Sequence, residues 1–361
     1  MSEQERLQAI RERIDALDGE LLNLISERAR CAEEVAQVKR SSGSENDFYR
    51  PEREAQVLRR VQQENPGPLS DETIARLFRE VMSACLALEA KLRISFLGPE
   101  GTYTHGAVLK HFGHDAALAP MNSLPDVFRE VEAGSCQYGV VPIENSTEGV
   151  VSHTLDLFVQ SPLKVCGEVL VRIHHHLLSK HDDIGEIKRV YAHQQALAQC
   201  RRWLDVNLPK ADRIALTSNA EAARRAAEEE GAAAIAGDTA AELYGLQALR
   251  RNIEDHPDNT TRFLVIGTQT VPPSGDDKTT VLVSTPNRPG ALHRLLTPLA
   301  LNSVSMTRIE SRPSRCVNWE YVYFLDIDGH ADDAKVKAAL AGLRQEADLF
   351  RILGAYPRAV L

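Results

Sequence analysis

Arg28 stands in a helix seam otherwise filled by apolar side chains and a thiol. Leu7, Ile10, Ile14, Leu17, Leu21, Leu24, Arg28, Cys31, Val35 and Val38 follow an unbroken 3-4-3-4 repeat, the mark of one face of a long α-helix. An arginine keeps its charge in a protein, and burying it unpaired costs several kcal/mol. No Asp or Glu occupies a neighbouring seam position, so the chemistry implied is anion binding. Lys39 returns to nearly the same face at about 100° per residue, and Arg53 comes after a short break, so three cations converge. Arg11 precedes Arg28 by about 25 Å at about 1.5 Å per residue, too far to share a small ligand within one straight helix. An antiparallel partner helix would bring its own Arg11 there, which implies a symmetric dimer with two equal sites. The alternative is a packing or dimerisation helix whose lone seam arginine sets register.

A second group of polar residues lies at the ends of apolar runs. In VVPIENSTEG, Glu144, Asn145, Ser146 and Thr147 crowd the carboxyl end of a strand, where open α/β sheets bind ligands. A helix cap would account for Ser146 or Thr147 but leaves Asn145 over. His193-Gln194-Gln195 and Asn259-Thr260-Thr261-Arg262-Phe263 place amides, hydroxyls and a cation beside other strands. Gly98-Pro99-Glu100-Gly101-Thr102 joins a strand to a helix, where backbone N–H groups can hold a carboxylate or phosphate; its spacing is neither a P-loop nor G-x-G-x-x-G, which argues against nucleotide. In VRIHHHLL only the first and third histidines of His174-His175-His176 would share a strand face, and no carboxylate pattern supports them. Alternating buried and exposed histidines are expected rather than a metal site.

The elements that must hold these groups change character along the chain. Up to Lys91 the pattern is helical: one long helix, a Ser/Gly-rich break at 41–47, a helix opening at Pro51, a break at ENPGPLSD, and a helix from Asp71 with Ser70 as N-cap. So thin a bundle favours dimerisation. From RISFLG onward short apolar strands alternate with helices, which reads as α/β with a largely parallel sheet. TVPPSGDDK interrupts this as a linker, and the segment beyond it reads βαββαβ. The expected units are residues 1–91, all helical; 92–270, α/β; 271–280, linker; and 281–361, α+β. The 361 residues are 43% hydrophobic, enough for several cores, and a net charge of −9 argues against nonspecific nucleic-acid binding. Neither a signal-peptide pattern nor a membrane-spanning apolar run is present, so the expected location is the cytoplasm. The six cysteines show no paired spacing and read as reduced, mostly buried thiols, without a disulfide framework or zinc site.

The order GPEGTYTH, VPIENSTEG, HQQALAQC, NTTRF, RPGALH and ESRP resembles the bifunctional chorismate mutase/prephenate dehydratases of phenylalanine biosynthesis over essentially the whole chain. The resemblance implies a multidomain protein: an all-α mutase domain of three helices in an intertwined homodimer, a two-lobed α/β dehydratase domain like periplasmic binding proteins, and an α+β ACT domain. Further pairing of dimers stays open. It implies chorismate and prephenate as substrates, L-phenylalanine as effector, and no cofactor, nucleic-acid or membrane partner.

In the mutase the resemblance implies that Arg28 and the partner chain's Arg11 bind carboxylates. Lys39 would donate to the ether oxygen, Glu54 would hold the substrate hydroxyl, and Arg53 would add a further cation. Glu89 stands where many relatives carry Gln, and a carboxylate donates a hydrogen bond only when protonated. Burial and the anionic substrate are expected to raise its pKa, so mutase activity should fall as pH rises. Arg50 and Cys85 occupy binding positions that are often Asp and Ser. In the dehydratase, Thr261 matches the essential threonine and is expected to orient or polarise the leaving hydroxyl, with Asn145 and Gln195 as binding and orienting amides and Ser146 as a substrate contact. Either Glu144 or a water would supply the proton, and Arg262 would be a carboxylate ligand or a structural ion pair. His-Gln-Gln replaces the usual His-Pro-Gln. In the ACT unit, Gly290, Ala291 and Leu292 with Glu310, Ser311, Arg312 and Pro313 are expected to form the phenylalanine pocket, with His293 in place of a usual valine. The rival reading is a ligand-binding regulator built like a two-lobed solute-binding protein.

Overall fold

The computed structural model describes residues 2–41, 49–313 and 321–360. Helices come first: α1 (Glu3–Ser41), α2 (Pro51–Gln63) and α3 (Asp71–Glu89). Pro51 opens α2, and Ser70 caps α3 by accepting from Thr73 N–H at 3.2 Å. Glu3 and Glu5 at the start of α1 and Lys39 and Arg40 at its end oppose the helix dipole. Of the break expected at 41–47, Ser41 ends α1 and the rest lies outside the described residues. α3 packs along α1 and buries Ala32 and Ala36, while Leu7, Ile10, Ile14, Leu17, Leu21 and Leu24 remain about half exposed. The seam of α1 is therefore bare in a single chain.

The first lobe of the α/β unit comprises β1 (Arg93–Leu97), α4 (Tyr103–Phe112), β2 (Ala117–Met121), α5 (Leu124–Glu132), β3 (Tyr138–Asn145), β4 (Gly149–Val150), α6 (Ser152–Gln160) and β5 (Lys164–Arg172). The chain then crosses to a second lobe: β6 (His176–Ser179), β7 (Arg189–His193), α7 (Gln194–Gln199), α8 (Arg201–Asn207), β8 (Asp212–Leu216), α9 (Asn219–Glu228), β9 (Ala232–Ala236), α10 (Asp238–Tyr244) and β10 (Gln247–Arg250). It returns to the first lobe as β11 (Thr260–Gly267). The sheet orders are β2-β1-β3-β11-β5 and β10-β6-β9-β7-β8. The expected largely parallel sheet is corrected. β2, β1 and β3 run parallel, but β11 re-enters from the second lobe and lies antiparallel to both β3 and β5, and β6 is antiparallel to β9.

The last unit is β12 (Asp277–Ser284), α11 (Ala291–Leu301), β13 (Met306–Pro313), β14 (Tyr321–Asp328), α12 (Ala334–Glu346) and β15 (Leu349–Pro357), the expected βαββαβ, in sheet order β13-β14-β12-β15. One sheet face packs Val281, Val283, Leu325 and Ile327 against its own helices. The other packs Leu282, Phe324, Leu353 and Tyr356 against Ile143, Phe158 and Leu264 of the first lobe, each large side chain contributing about 1.5–3 kcal/mol of burial. The segment expected as a linker is pinned at both ends. Val271 is buried, β12 already begins at Asp277, and the Asp277 carboxylate accepts from Ser274 N–H, Gly275 N–H and Ser274 Oγ–H. Arg59 of α2 donates to Ser274 and to the Asp276 carbonyl, tying the helical unit to the same turn.

Among the described residues no helix is long and apolar enough to cross a membrane. Cys31, Cys85, Cys136, Cys166 and Cys200 are free thiols, all but Cys31 buried; Cys316 lies outside the described residues.

Candidate functional sites

The end of α1 and the end of α3 bring opposite charges together. Lys39 Nζ lies 3.6 Å from Glu89 Oε2, and both side chains are largely shielded from solvent. Burial pushes the Glu89 carboxyl above the usual carboxylate range, against the pull of Lys39 and then of Arg28. Arg28, Lys39 and Glu89 thus form one group, and Cys85, buried one turn before Glu89 on α3, faces the same way. Arg11 is exposed on the same unbroken helix, so the distance argument that keeps it from Arg28 within one chain stands. The second helix contributes less than expected. Arg53 is exposed, Arg50 pairs with Glu52 at 2.5 Å, and the Glu54 carboxylate pairs with Arg79, which also donates to the His111 carbonyl. Glu54 therefore faces a cavity shared with His111 and Gly167 of the α/β unit, with its carboxylate paired to Arg79.

Between the two lobes lies a cleft lined by Tyr103, Asn145, Ile173, His175, His193, Gln195, Ala196, Gln199, Asn219, Asn259 and Thr261. None of these is Lys or Arg. Asn145 ends β3 directly opposite Thr261 of β11 and is locked by the turn it opens. Its Oδ1 accepts from Thr147 N–H (3.0 Å), Glu148 N–H (3.0 Å) and the Thr147 hydroxyl (2.6 Å), while its Nδ2 donates to Asn259 Oδ1 (2.7 Å) and Thr261 Oγ1 (2.8 Å). With its oxygen already accepting, the Thr261 hydroxyl keeps its proton to give, and no group among the described residues takes it. His193 caps α7 and so sets Gln195 at the cleft wall.

Strand alternation removes two expected cleft residues. Neighbours on a strand face opposite sides, so Glu144 and Arg262 point away from Asn145 and Thr261. Glu144 pairs with Arg308 of β13 at 2.9 Å, which corrects its expected role as proton donor. Arg262 is the structural ion pair, not the carboxylate ligand. It donates to Glu168 (2.8 Å), Asp326 (2.5 Å) and the Tyr356 hydroxyl (3.0 Å), and Lys278 joins Glu168 at 2.8 Å. Burial opposes the charge on Arg262, but Tyr356, Asp326 and Glu168 outweigh it, and the same contact holds Asp326 below its ordinary range despite burial. Ser146 is corrected too: its Oγ accepts from Thr260 N–H and donates to the Asp258 carbonyl, fastening the turn to the entry of β11. In the Gly98–Thr102 turn, Gly101 N–H is taken by His105 Nδ1.

The histidine tract departs from simple alternation, because the chain leaves β5 at Arg172 and enters β6 at His176. His175 and His176 are both buried, and His174 pairs with Glu254 at 2.8 Å. His175 bridges Tyr103 Oη and Gln199 Oε1. Sequence reasoning names Asn259 but leaves out Tyr103, His175, Gln199 and Asn219 as cleft residues, although all but Asn219 lie inside the motifs it singles out.

Comparison with known proteins meets this geometry. Residues 94–271 match the family model for prephenate dehydratase, residues 10–90 that for chorismate mutase type II, and residues 279–345 that for the ACT domain. A bifunctional chorismate mutase/prephenate dehydratase of Stutzerimonas stutzeri is 55% identical over 365 residues, covering 100% of both chains. The chain belongs to this bifunctional family. The Pseudomonas aeruginosa enzyme of the same description is also 55% identical, again over 100% of both chains. Among solved structures, a prephenate dehydratase from Arthrobacter aurescens in complex with L-Phe is 38% identical, with a TM-score of 0.68, over 74% of this chain and 90% of that one.

In the ACT domain, Gly290 caps α11 at a φ of 75°, a left-handed conformation natural to glycine. Ser284 pairs with Val322 and Val322 with Arg312, so the loop to Gly290 and the Glu310–Pro313 segment share one end of the sheet. Ala291 is buried; Leu292, Ser311 and Pro313 are exposed. Arg312 is committed elsewhere, to Asp156 at 3.1 Å and Ser152 Oγ at 2.9 Å on α6 of the dehydratase domain. It clamps the two domains together instead of lining an effector pocket.

Proposed function

We propose that this chain rearranges chorismate to prephenate and then converts prephenate to phenylpyruvate, with feedback inhibition by L-phenylalanine through the ACT domain. Full-length membership in the bifunctional family supports both activities, and the Thr261 hydroxyl, left with a free proton in the interlobe cleft, carries the dehydratase assignment.

The mutase reaction needs no covalent intermediate. The site must hold a dicarboxylate in its compact reactive shape and stabilise negative charge growing on the ether oxygen. Arg28 meets a carboxylate, Lys39 donates to the ether oxygen, and Glu89 in its protonated form offers a second donor, with Cys85 bordering the site. The bare seam of α1 favours a homodimer in which the partner's Arg11 completes each site.

The dehydratase reaction takes the prephenate dianion and one proton to phenylpyruvate, carbon dioxide and water. The bond to the departing carboxylate breaks, its electron pair completes the aromatic ring, and the ring hydroxyl leaves with the proton. Thr261 donates to that hydroxyl, oriented by Asn145, and Gln195 supplies a further amide. The proton itself comes through water, since Glu144 faces the ACT domain.

Paired assays on one purified sample test the reading: chorismate loss, and phenylpyruvate formation from prephenate, each with and without L-phenylalanine. Both activities with inhibition are expected; phenylpyruvate formation without chorismate loss would reduce the helical domain to a scaffold.

A further inference from the structure

Most amides that wall the dehydratase cleft are already engaged. Asn145 Nδ2 donates to Asn259 Oδ1 and Thr261 Oγ1, Asn259 Nδ2 lies 3.4 Å from Gln199 Oε1, and Gln199 Nε2 lies 3.2 Å from the Glu148 carboxylate. Asn219, on the wall formed by the second lobe, differs. It opens α9, where Ser218 accepts from Glu221 N–H at 3.0 Å and fixes the backbone turn. β7 and β8 run parallel with His193 opposite Leu216 at their carboxyl ends, so the turn from β8 into α9 passes beside His193. His193 N–H donates to one Asn219 side-chain atom at 2.8 Å, which must be the oxygen, because only Oδ1 accepts. The other atom is therefore Nδ2, and it has no acceptor among the described residues. Asn219 thus offers the cleft it lines a donor of fixed orientation. The Gln195 amide has no such anchor among the described residues.

We propose that Asn219 is a substrate-binding residue of the dehydratase that donates through Nδ2 to the side-chain carboxylate of prephenate, the one that survives into phenylpyruvate. The inference rests on the dehydratase reading above. Prephenate carries its hydroxyl at one end of the ring and both carboxylate-bearing groups at the other. With Thr261 of the first lobe on the hydroxyl, the carboxylates reach across to the second lobe, where Asn219 stands and no Lys or Arg among the described residues lines the cleft. The two carboxylates make different demands. A donor on the departing one strengthens the starting state against a transition state in which that charge is leaving, whereas a donor on the surviving one binds both states equally. A neutral amide held by the His193 backbone suits the second duty, since it loses no rotamer freedom when the ligand arrives. Its removal should therefore appear in KM and not in kcat.

Steady-state kinetics of the full-length protein with prephenate, together with competitive inhibition by phenylpyruvate, test the proposal. Phenylpyruvate keeps the side-chain carboxylate and lacks the ring one. Asn219→Ala should raise KM about ten- to a hundredfold, the range for one hydrogen bond to a charged group, and leave kcat within about threefold. The phenylpyruvate inhibition constant should rise by the same factor as KM. Asn219→Asp separates binding from architecture: it keeps an oxygen for His193 N–H, suits the first turn of a helix and loses only the donor. Its KM should exceed that of Asn219→Ala, because its second oxygen repels the substrate. A wild-type KM in Asn219→Asp would reduce Asn219 to a structural acceptor and overturn the proposal. So would a raised KM with an unchanged phenylpyruvate constant, which would put the amide on the departing carboxylate, or a fall in kcat at constant KM. If Asn219→Ala does not fold, Asn219→Asp carries the test. Failure of the wild-type protein to convert prephenate would sink the functional reading instead, whereas wild-type turnover with unaltered KM in the variants would sink the role of Asn219 alone.

Discussion

The two candidate sites face similar small dianions with opposite equipment. The mutase group is cationic, with Arg28 and Lys39 around Glu89 on a helix face that stays half exposed in one chain. The dehydratase cleft lies within one chain and is walled by amides, hydroxyls and histidines. The chemistry accounts for the contrast. In the mutase both carboxylates survive and negative charge grows on an ether oxygen, so cations help throughout. In the dehydratase one carboxylate departs without its charge, and a cation holding it would favour the starting state. The cations near the cleft strand are instead turned to its other face, where Arg262 and Lys278 serve the contact with the ACT domain.

Separate assays can break this division of labour. The largest effect is expected from Thr261→Val, which should lower phenylpyruvate formation by about 10²–10³-fold while chorismate turnover stays within about twofold. Loss of both activities together would point to a folding defect. Arg28→Ala should produce a comparable loss confined to the mutase, and mixing it with Arg11→Ala protein should restore some activity through heterodimers. No recovery despite proven subunit exchange would argue against shared sites.

Arg262→Met should act on stability more than on chemistry. It leaves Glu168 and Asp326 buried without their partner, a cost of about 3–5 kcal/mol read as faster hydrogen exchange at the ACT contact. The folded pKa of Asp326 is depressed, which sets the sign of the pH dependence. Its stabilising contribution is present above the unfolded carboxylate pKa and lost as pH falls through the folded value. A smaller effect is expected at Glu89. Because its carboxyl is raised and the protonated form is the donor, mutase activity should decline as pH rises, and Glu89→Gln should flatten that decline; an unchanged profile would exclude Glu89 as the titrating group. Glu144→Gln should change dehydratase kcat by no more than about twofold, since it removes only a partly exposed ion pair.

Much of the architecture was legible because periodicity reports burial. The 3-4 repeat of α1, the Ser70 cap, the apolar run of β3 and the βαββαβ order all fell where patterning put them. The direction of β11 did not, since a strand carries no local signal of which neighbour it will meet. Among candidate residues, Thr261 and Asn145 line the interlobe cleft, but the sequence does not separate Glu144 and Arg262 from them. A run of adjacent polar residues does not reveal which face of the strand meets the cleft and which meets a second domain. Arg312 was misassigned for the same reason, its acceptor Asp156 lying far away in sequence. Tyr103, His175 and Gln199 were within sight of sequence reasoning, but only the folded chain joins GTYTH, the histidine tract and HQQALAQ into one hydrogen-bonded wall.

The contrast between a cationic mutase site and a neutral dehydratase cleft is tested most directly by measuring KM for chorismate and for prephenate on one sample from about 0.05 M to about 0.5 M salt. The chorismate KM should rise several-fold while the prephenate KM changes by less than about twofold, because mobile ions screen Arg28, Arg11 and Lys39, whereas no Lys or Arg among the described residues lines the cleft. A prephenate KM rising as steeply as that for chorismate would contradict it.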